Sequence, residues 1–558
     1  MIISDKISAQ KIVKLCEKQG IKDIVISPGS RNAPFIISFT NNPYFNCYSI
    51  VDERSAGYFA LGIAQQKNKP VVLICTSGTA TLNYAPAIAE AHYQGIPLLI
   101  LTADRQQNGL SIGDGQSINQ KGIYRNFCEN NYSIIEDEND SSKENFALIQ
   151  EAFYELTYKN KAVHINIQLT EPLYNTIDIS PIEKCVSYGE DENFDIKIED
   201  KWIGEWDDFS SKLILISQNN ENSQELSNLI LDLTKKDKNI VVLTETTSNC
   251  FSKNFNSCID RTISLINENN VKVFVPELTV TIGNSVISKK IKQLFRVNKP
   301  IEHWSVSNPR KEDVFITNHK NIEGKAVDFF SSLIQKIKDN SKTNFKESWN
   351  KIQNTSTKNH QSFIENVPFS DLKAFDIILD NLPTCNLQMG NSSVVRYIQL
   401  FNQRKDIQYN SNRGVSGIEG CTSTAIGASL VTKNSILISG DISFFYDSNA
   451  FWNNHVPAYF KTIVINNGEG NIFKILPQPK ENEKALPFFI TPNSLSIEKF
   501  CDLYNLNYLV ANNKENLEET IKELINTNNK PTVLEVNTVG IENDEILKEY
   551  FQYLSHFE

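Results

Sequence analysis

The chain has 558 residues, 40% hydrophobic and 22% charged, which describes a soluble globular protein too long for one hydrophobic core. Its net charge of −11 disfavours nucleic acid and anionic membrane as partners, though not a locally basic pocket. No run approaches the roughly 18 apolar residues of a membrane span; no signal peptide is apparent, and ten scattered cysteines without a Cys-x-x-Cys pair fit reduced thiols and a cytoplasmic location rather than a structural zinc site.

In chain order, Ala9, Ile12, Val13 and Cys16 recur at helical spacing, and Gly20 makes a helix stop. Short apolar runs at Ile24–Ile26, Tyr48–Val51, Val71–Cys75 and Leu98–Leu101 alternate with helix-like stretches at Ser55–Gln66 and Ala80–Gly95. This alternation predicts a doubly wound parallel sheet. The polar stretch from Thr176 to Asp200 reads as an interdomain connection. A second α/β block follows, with strands expected near Leu213–Ser217, Asn239–Leu243 and Lys272–Val275 and a helix near Val286–Phe295. The Asn/Lys-rich stretch from Lys338 to Asn366 reads as a second linker with some helix, and a third block has strands at 435–439, 462–465 and near Thr532–Val536. The expected fold is therefore α/β with three doubly wound parallel-sheet domains, at 1–180, 195–335 and 365–558.

The most informative pairing lies in the third block. Gly440-Asp441 ends one apolar strand and Asn466-Asn467 the next, with Asp441 and Asn467 separated by 467 − 441 = 26 residues. Ligands of open α/β sheets bind at the carboxyl edge, where such residues emerge. A carboxylate, an amide oxygen and a backbone carbonyl, completed by phosphate and water, suit a hard divalent cation. Two plain strand-to-loop turns would also use Gly, Asp and Asn. In the first block, Ser27-Pro28-Gly29-Ser30-Arg31 follows a strand directly, and Arg31 offers a planar fork for a carboxylate. Asp52-Glu53 opens a helix after the next strand; Glu53 is either a plain helix-terminal anion or an acid held in an apolar pocket with a raised pKa.

Taken together, Ser-Pro-Gly-Ser-Arg at 27–31, Asp-Glu-Arg-Ser-Ala-Gly at 52–57, Thr-Ser-Gly-Thr-Ala at 76–80, Leu-Thr-Ala-Asp-Arg at 101–105, Gly-Asn-Ser at 390–392, Asn-Arg-Gly-Val-Ser-Gly-Ile at 412–418 and Gly-Asp-Ile-Ser-Phe at 440–444 resemble one family. It is the 2-succinyl-5-enolpyruvyl-6-hydroxy-3-cyclohexene-1-carboxylate (SEPHCHC) synthases of menaquinone biosynthesis, which are thiamine-diphosphate enzymes. The resemblance runs from about residue 20 to about residue 480 and is thin in the middle block. Other thiamine-diphosphate enzymes share the Glu and the metal motif, so an acetolactate-synthase-like carboligase or 2-oxoacid decarboxylase is the nearest alternative, and a non-catalytic α/β binding protein the bland one.

The resemblance implies thiamine diphosphate with Mg²⁺ or Mn²⁺ as cofactors. The first block would hold the aminopyrimidine and the third the diphosphate, in a homodimer or tetramer with shared sites. It implies that 2-oxoglutarate loses CO2 and its remaining four-carbon unit adds to isochorismate. Glu53 would be the catalytic acid at the pyrimidine nitrogen; Asp441, Asn467 and the carbonyl of Glu469 would hold the metal. Ser392, Ile418, Ile472, Phe473 and Leu476 would shape the cofactor pocket, although as bare sequence the apolar ones also fit a core. Ser30, Arg31, Gln116, Lys289, Lys290, Ser392, Arg396 and Arg413 would meet the two dicarboxylates, while an adjacent lysine pair also fits a solvated helix face. Gly115 departs from an Asn common in the family, Lys290 from an Arg, and Glu469 from a Gly-rich run.

Overall fold

The computed structural model describes residues 2–106, 113–136, 143–178, 200–219, 221–308, 310–475 and 482–556. Three parallel sheets account for nearly all strands. The first holds Asn46–Ser49 (β3), Asp23–Ile26 (β2), Val71–Cys75 (β4), Leu98–Asp104 (β5), Val163–Gln168 (β7) and Asn131–Ile135 (β6), side by side in that order. Its central strands are buried along their whole length, as expected where helices cover both faces of a parallel sheet. A two-stranded antiparallel ribbon of Ile2–Ser4 (β1) and Thr176–Asp178 (β8) completes this part of the chain.

The middle sheet has Lys212–Ile216 (β9), Ile240–Thr244 (β10), Leu278–Ile282 (β11), Glu302–Val306 (β12) and Asn318–Ile322 (β13), in the order β10-β9-β11-β12-β13. One flank buries Trp206 and Trp304, with Trp202 edge-on to Trp304 at 5.1 Å between ring centroids. The third sheet has Cys385–Met389 (β14), Ile407–Ser411 (β15), Ser435–Gly440 (β16), Lys461–Asn466 (β17), Asn507–Ala511 (β18) and Thr532–Asn537 (β19), in the order β15-β14-β16-β17-β19-β18.

One expectation fails and another is met only in part. Lys272–Val275 is not a strand: Val271–Val273 forms a 3-10 turn, and the strand begins at Leu278, after Pro276. A four-residue apolar run carries too little periodicity to separate strand from turn. The stretch read as a linker is mostly the 23-residue helix Asn344–Asn366, which buries Phe345, Trp349, Ile352, Ser356, His360 and Ile364. Its low apolar content hid a correct helical spacing.

Chain contacts divide the molecule into two compact units. Unit 1 comprises Met1–Glu192, Gly414–Ser435 and Phe445–Phe460; unit 2 comprises Asn193–Arg413, Ile436–Phe444 and Lys461–Glu558, and so holds the middle sheet and most of the third. Inside unit 1, the helix Cys421–Val431 lies against the helix Glu53–Lys67. A Cβ at Gly62 or Gly427 would run into the backbone of the opposite helix, so glycine permits that close approach. Among the described residues no helix is long and apolar enough to cross a membrane.

Candidate active site

In unit 1, the carboxyl ends of β2, β3 and β4 deliver Ser27–Arg31, Asp52-Glu53 and Thr76–Gly78 to one sheet edge. Asp52 caps the helix Glu53–Lys67, accepting from the Arg54 and Ser55 N–H groups at 2.9 and 3.4 Å. Glu53 is therefore the first helical residue, where the helix dipole stabilises an anion. Burial nevertheless wins: the half-buried Glu53 carboxyl is pushed above its ordinary value by desolvation, despite a 3.3 Å bond from Asn83 Nδ2 and with Asp52 adding to the rise. Around it, the Cys75 thiol and Tyr84 hydroxyl are pushed well up by burial and stay neutral.

Arg31 is buried and already engaged, its Nη2 2.9 Å from Glu171 Oε1 and its Nη1 donating to the Leu169 carbonyl at 3.4 Å. Ser30 lies in the turn before it. Gln116 is exposed with φ of 56°, and its carbonyl accepts from Ser77 Oγ at 2.9 Å. The Gly115 carbonyl accepts from Arg105 Nη2 at 3.0 Å. Ile418, half-buried, also belongs to unit 1.

Unit 2 gathers the remaining candidates. Parallel pairing of β16 with β17 sets Gly440 opposite Ile465, so Asp441 and Asn467 leave the sheet at the same edge. Asp441 is 3% exposed, and burial pushes its carboxyl up to about 6, against a 3.3 Å bond from Asn493 Nδ2 and with Asp371 adding to the rise. Asn467 donates Nδ2 to Asp371 at 2.8 Å, which turns its amide oxygen away from that carboxylate; Glu469 N–H reaches the oxygen at 3.4 Å. The Glu469 carbonyl accepts from Asn471 N–H at 2.9 Å and keeps a second lone pair, while its side chain pairs with Lys474. Asp371 in turn accepts from Thr538 Oγ1 at 2.6 Å.

This set fits a magnesium-type ion better than a zinc-type one. It offers one anionic oxygen and two neutral ones, to be joined by phosphate oxygens, and Asp441 carries a burial penalty that a cation would remove. Among the described residues no group of three or more His, Cys, Asp or Glu forms a metal cage. Ile472 is half-buried and Phe473 partly exposed, its ring 6.0 Å from that of Phe489; Leu476 lies outside the described residues.

A basic cluster forms where the carboxyl edges of the middle and third sheets meet inside unit 2. Gln218, after β9, donates to the Ser411 carbonyl at the end of β15 at 3.2 Å. Ser392 follows β14 with φ of 69°, a backbone state that costs a serine energy and marks a constrained turn. Arg396 Nη1 donates to the Ser392 carbonyl at 2.6 Å, and Arg413, 6% exposed, donates to Asn391 Oδ1 at 2.9 Å. Lys289 and Lys290 open the helix Lys289–Val297, capped by Ser288. Lys290 lies over the Phe551 ring at 3.1 Å from its centroid.

Two carboxyl groups, the buried Glu245 and the half-buried Asp260, face these cations. Asp260 is within electrostatic reach of Lys290, Arg396 and Lys292, and Glu245 of Arg413 and Lys292. Burial pushes the Glu245 carboxyl up to about 7. Sequence reading missed Asp260, Glu245, Asp371 and Asn493 because each is distant in sequence from the motif it supports. Lys292, three residues beyond Lys289 on one helix, was within reach of a spacing argument.

Known proteins resemble this chain along nearly its whole length. Residues 8–123 match the family described as thiamine pyrophosphate enzyme, N-terminal TPP binding domain, and residues 388–536 match its C-terminal TPP binding domain. A 2-succinyl-5-enolpyruvyl-6-hydroxy-3-cyclohexene-1-carboxylate synthase from Flavobacterium psychrophilum is 44% identical over 549 residues, covering 98% of each chain. The synthase of the same name from Flavobacterium johnsoniae is 41% identical, covering 98% of this chain and 99% of its own. The solved structure of benzoylformate decarboxylase from Polynucleobacter necessarius superposes with a TM-score of 0.69 at 15% identity, over 95% of this chain and 98% of its own, a likeness of fold. The chain belongs to the SEPHCHC synthase family of thiamine pyrophosphate enzymes.

Proposed function

We propose that this chain converts 2-oxoglutarate and isochorismate to SEPHCHC and CO2, using thiamine diphosphate and Mg²⁺ or Mn²⁺, as a step of menaquinone biosynthesis. When bound, the cofactor supplies the electron sink that lets a 2-oxo acid lose CO2 and makes the former carbonyl carbon a nucleophile. Asp441, Asn467 and the Glu469 carbonyl would hold the metal, and Asp371 would orient the Asn467 amide, from whose Nδ2 it accepts. Glu53 holds and returns a proton at the aminopyrimidine nitrogen, a task served by a carboxyl raised towards neutrality. Ile418, Ile472 and Phe473 would supply apolar contact to the cofactor, and Ser392 its polar neighbour.

The observation that carries the substrate reading is the cluster of Lys290, Lys292, Arg396 and Arg413 around Asp260 and Glu245. Two dicarboxylate substrates need such a concentration of donors in a protein of net charge −11, whereas pyruvate does not. Lys289 lines the approach to this cluster, and Ser30, Arg31 and Gln116 meet substrate at the edge of the first sheet. A second copy of the chain completes each site, as the family resemblance implies.

The test is turnover with isochorismate, comparing 2-oxoglutarate with pyruvate as donor. CO2 release and SEPHCHC formation from 2-oxoglutarate alone are expected; preference for pyruvate would overturn the substrate reading. Mixing inactive Glu53→Gln and Asp441→Ala chains should restore part of the activity, because one site of the hybrid is intact at both positions.

A further inference from the structure

Parallel pairing of β14 with β15 sets Met389 opposite Ser411, so Asn391 and Arg413, each two residues beyond a strand end, emerge at one edge. There the Asn391 amide is used from both ends. Its Oδ1 accepts from Arg413 Nη1 at 2.9 Å and from Ser411 Oγ at 3.4 Å, and its Nδ2 donates to the Asn412 carbonyl at 2.7 Å. A guanidinium only donates and a carbonyl only accepts, so these partners fix which end of the amide faces which. The backbone beneath is tied as well: the Ser411 carbonyl accepts from the Arg413 N–H at 2.9 Å and from Gln218 Nε2 at 3.2 Å.

The next residue serves a second guanidinium. The Ser392 carbonyl accepts from Arg396 Nη1 at 2.6 Å, and the φ of 69° at Ser392 turns the chain into the helix Ser393–Ile398 that carries Arg396. Two consecutive residues of one turn thus hold two arginines, one through a side chain and one through the backbone. Both acceptors are uncharged oxygens, so each bond orients a guanidinium without supplying it a counter-charge. A carboxylate in the place of the Asn391 amide would bind Arg413 more tightly and neutralise it. Asn391 and Arg413 are both buried, so water does little to screen their contact.

We propose that Asn391 is a positioning residue for substrate: it holds the Arg413 guanidinium in one orientation, without neutralising it, on the turn that also holds Arg396, so that a carboxylate of a dicarboxylate substrate meets it charged. This role rests on the reaction proposed above and adds a residue that acts on substrate through Arg413. Two substitutions separate orientation from charge. Asn391→Asp keeps the shape and the acceptor for Arg413, but neutralises the guanidinium and turns an oxygen towards the Asn412 carbonyl. Asn391→Ala removes both contacts and adds no charge.

Steady-state kinetics of the holoenzyme, beside calorimetry of thiamine diphosphate binding in Mg²⁺, decide it. Each variant should raise the apparent KM for 2-oxoglutarate or for isochorismate by about tenfold or more, with kcat within about threefold and cofactor affinity unchanged. Arg413→Met should raise the same KM, and adding Asn391→Ala to it should change that KM by less than about twofold, since the amide acts through the arginine. An amide that served only the fold would lower the melting temperature and leave the KM of the folded enzyme at its wild-type value. If one Asn391 variant fails to bind cofactor, the other decides. A wild-type KM in a folded Asn391 variant, additive losses in the double variant, or loss of cofactor binding in both Asn391 variants would overturn the inference. A wild-type enzyme that ignores 2-oxoglutarate would instead overturn the reaction.

Discussion

Glu53 in unit 1 and Asp441 in unit 2 both follow a strand of a parallel sheet, both leave water, and both are pushed up by burial. Their company differs. Glu53 has one weak side-chain partner, Asn83, and neutral neighbours in Cys75 and Tyr84, so little offsets its desolvation. Asp441 sits beside Asp371, Asn467 and Asn493, a set of carboxylate and amide oxygens suited to a cation. The same burial cost thus suits the proposed acid in one region and the proposed cation ligand in the other, and neighbouring dipoles distinguish the two.

The comparison breaks most visibly at Glu53. Glu53→Gln preserves shape and contact but cannot share a proton, so kcat should fall by roughly 10² to 10⁴ while cofactor and metal affinity change little. Isothermal calorimetry beside steady-state kinetics checks both halves; an active variant would remove Glu53 from the chemistry.

Asp441→Asn sharpens the contrast because it acts in opposite directions on stability and binding. The carboxyl binds more protons folded than unfolded between its ordinary 3.8 and about 6, so the ligand-free fold loses stability as pH rises through that window. Above it the cost is roughly 3 kcal/mol. The amide carries no such cost, so the apoprotein at a pH of about 8 should melt a few degrees higher while cofactor affinity in Mg²⁺ falls by about two orders of magnitude or more. Thermal melts with and without cofactor read both effects; unchanged cofactor affinity would refute the metal assignment.

The smallest effect belongs to Asp371, which acts on the proposed metal site by orienting the Asn467 amide and through its charge near Asp441. Its two oxygens accept from Thr538 and Asn467 separately, whereas the amide introduced by Asp371→Asn would offer one acceptor to two donors. Loss of orientation at Asn467 should weaken metal binding by about 10- to 100-fold, with activity recovered at high Mg²⁺. Activity measured across a magnesium series distinguishes this from Asp441→Asn, which excess metal should not rescue.

Most motifs that could be read in the sequence share one property: each is a short string at or just beyond the end of a strand. Ser27–Arg31, Asp52-Glu53, Gly390–Ser392, Gly440-Asp441 and Asn466-Asn467 are all of this kind, because parallel sheets turn strand ends into binding edges. The strands at 24–26, 71–75 and 435–439 were legible for a related reason: apolar runs buried on both faces stand out against polar loops. The helix Asn344–Asn366 was legible only as some helix within a linker, since six buried side chains spread over 23 residues look polar until their spacing is counted.

Local sequence therefore determined the fold class, the family and the residues at the sheet edges, because those depend on periodicity and strand-end chemistry. Only the tertiary structure decided which carboxyl groups are desolvated and which cations share a counter-charge. Asp260 and Arg396 are 396 − 260 = 136 residues apart, and Asp371 and Asn467 are 467 − 371 = 96 apart. Electrostatic energy depends on distance through space and on the surrounding dielectric, neither of which the order of residues contains.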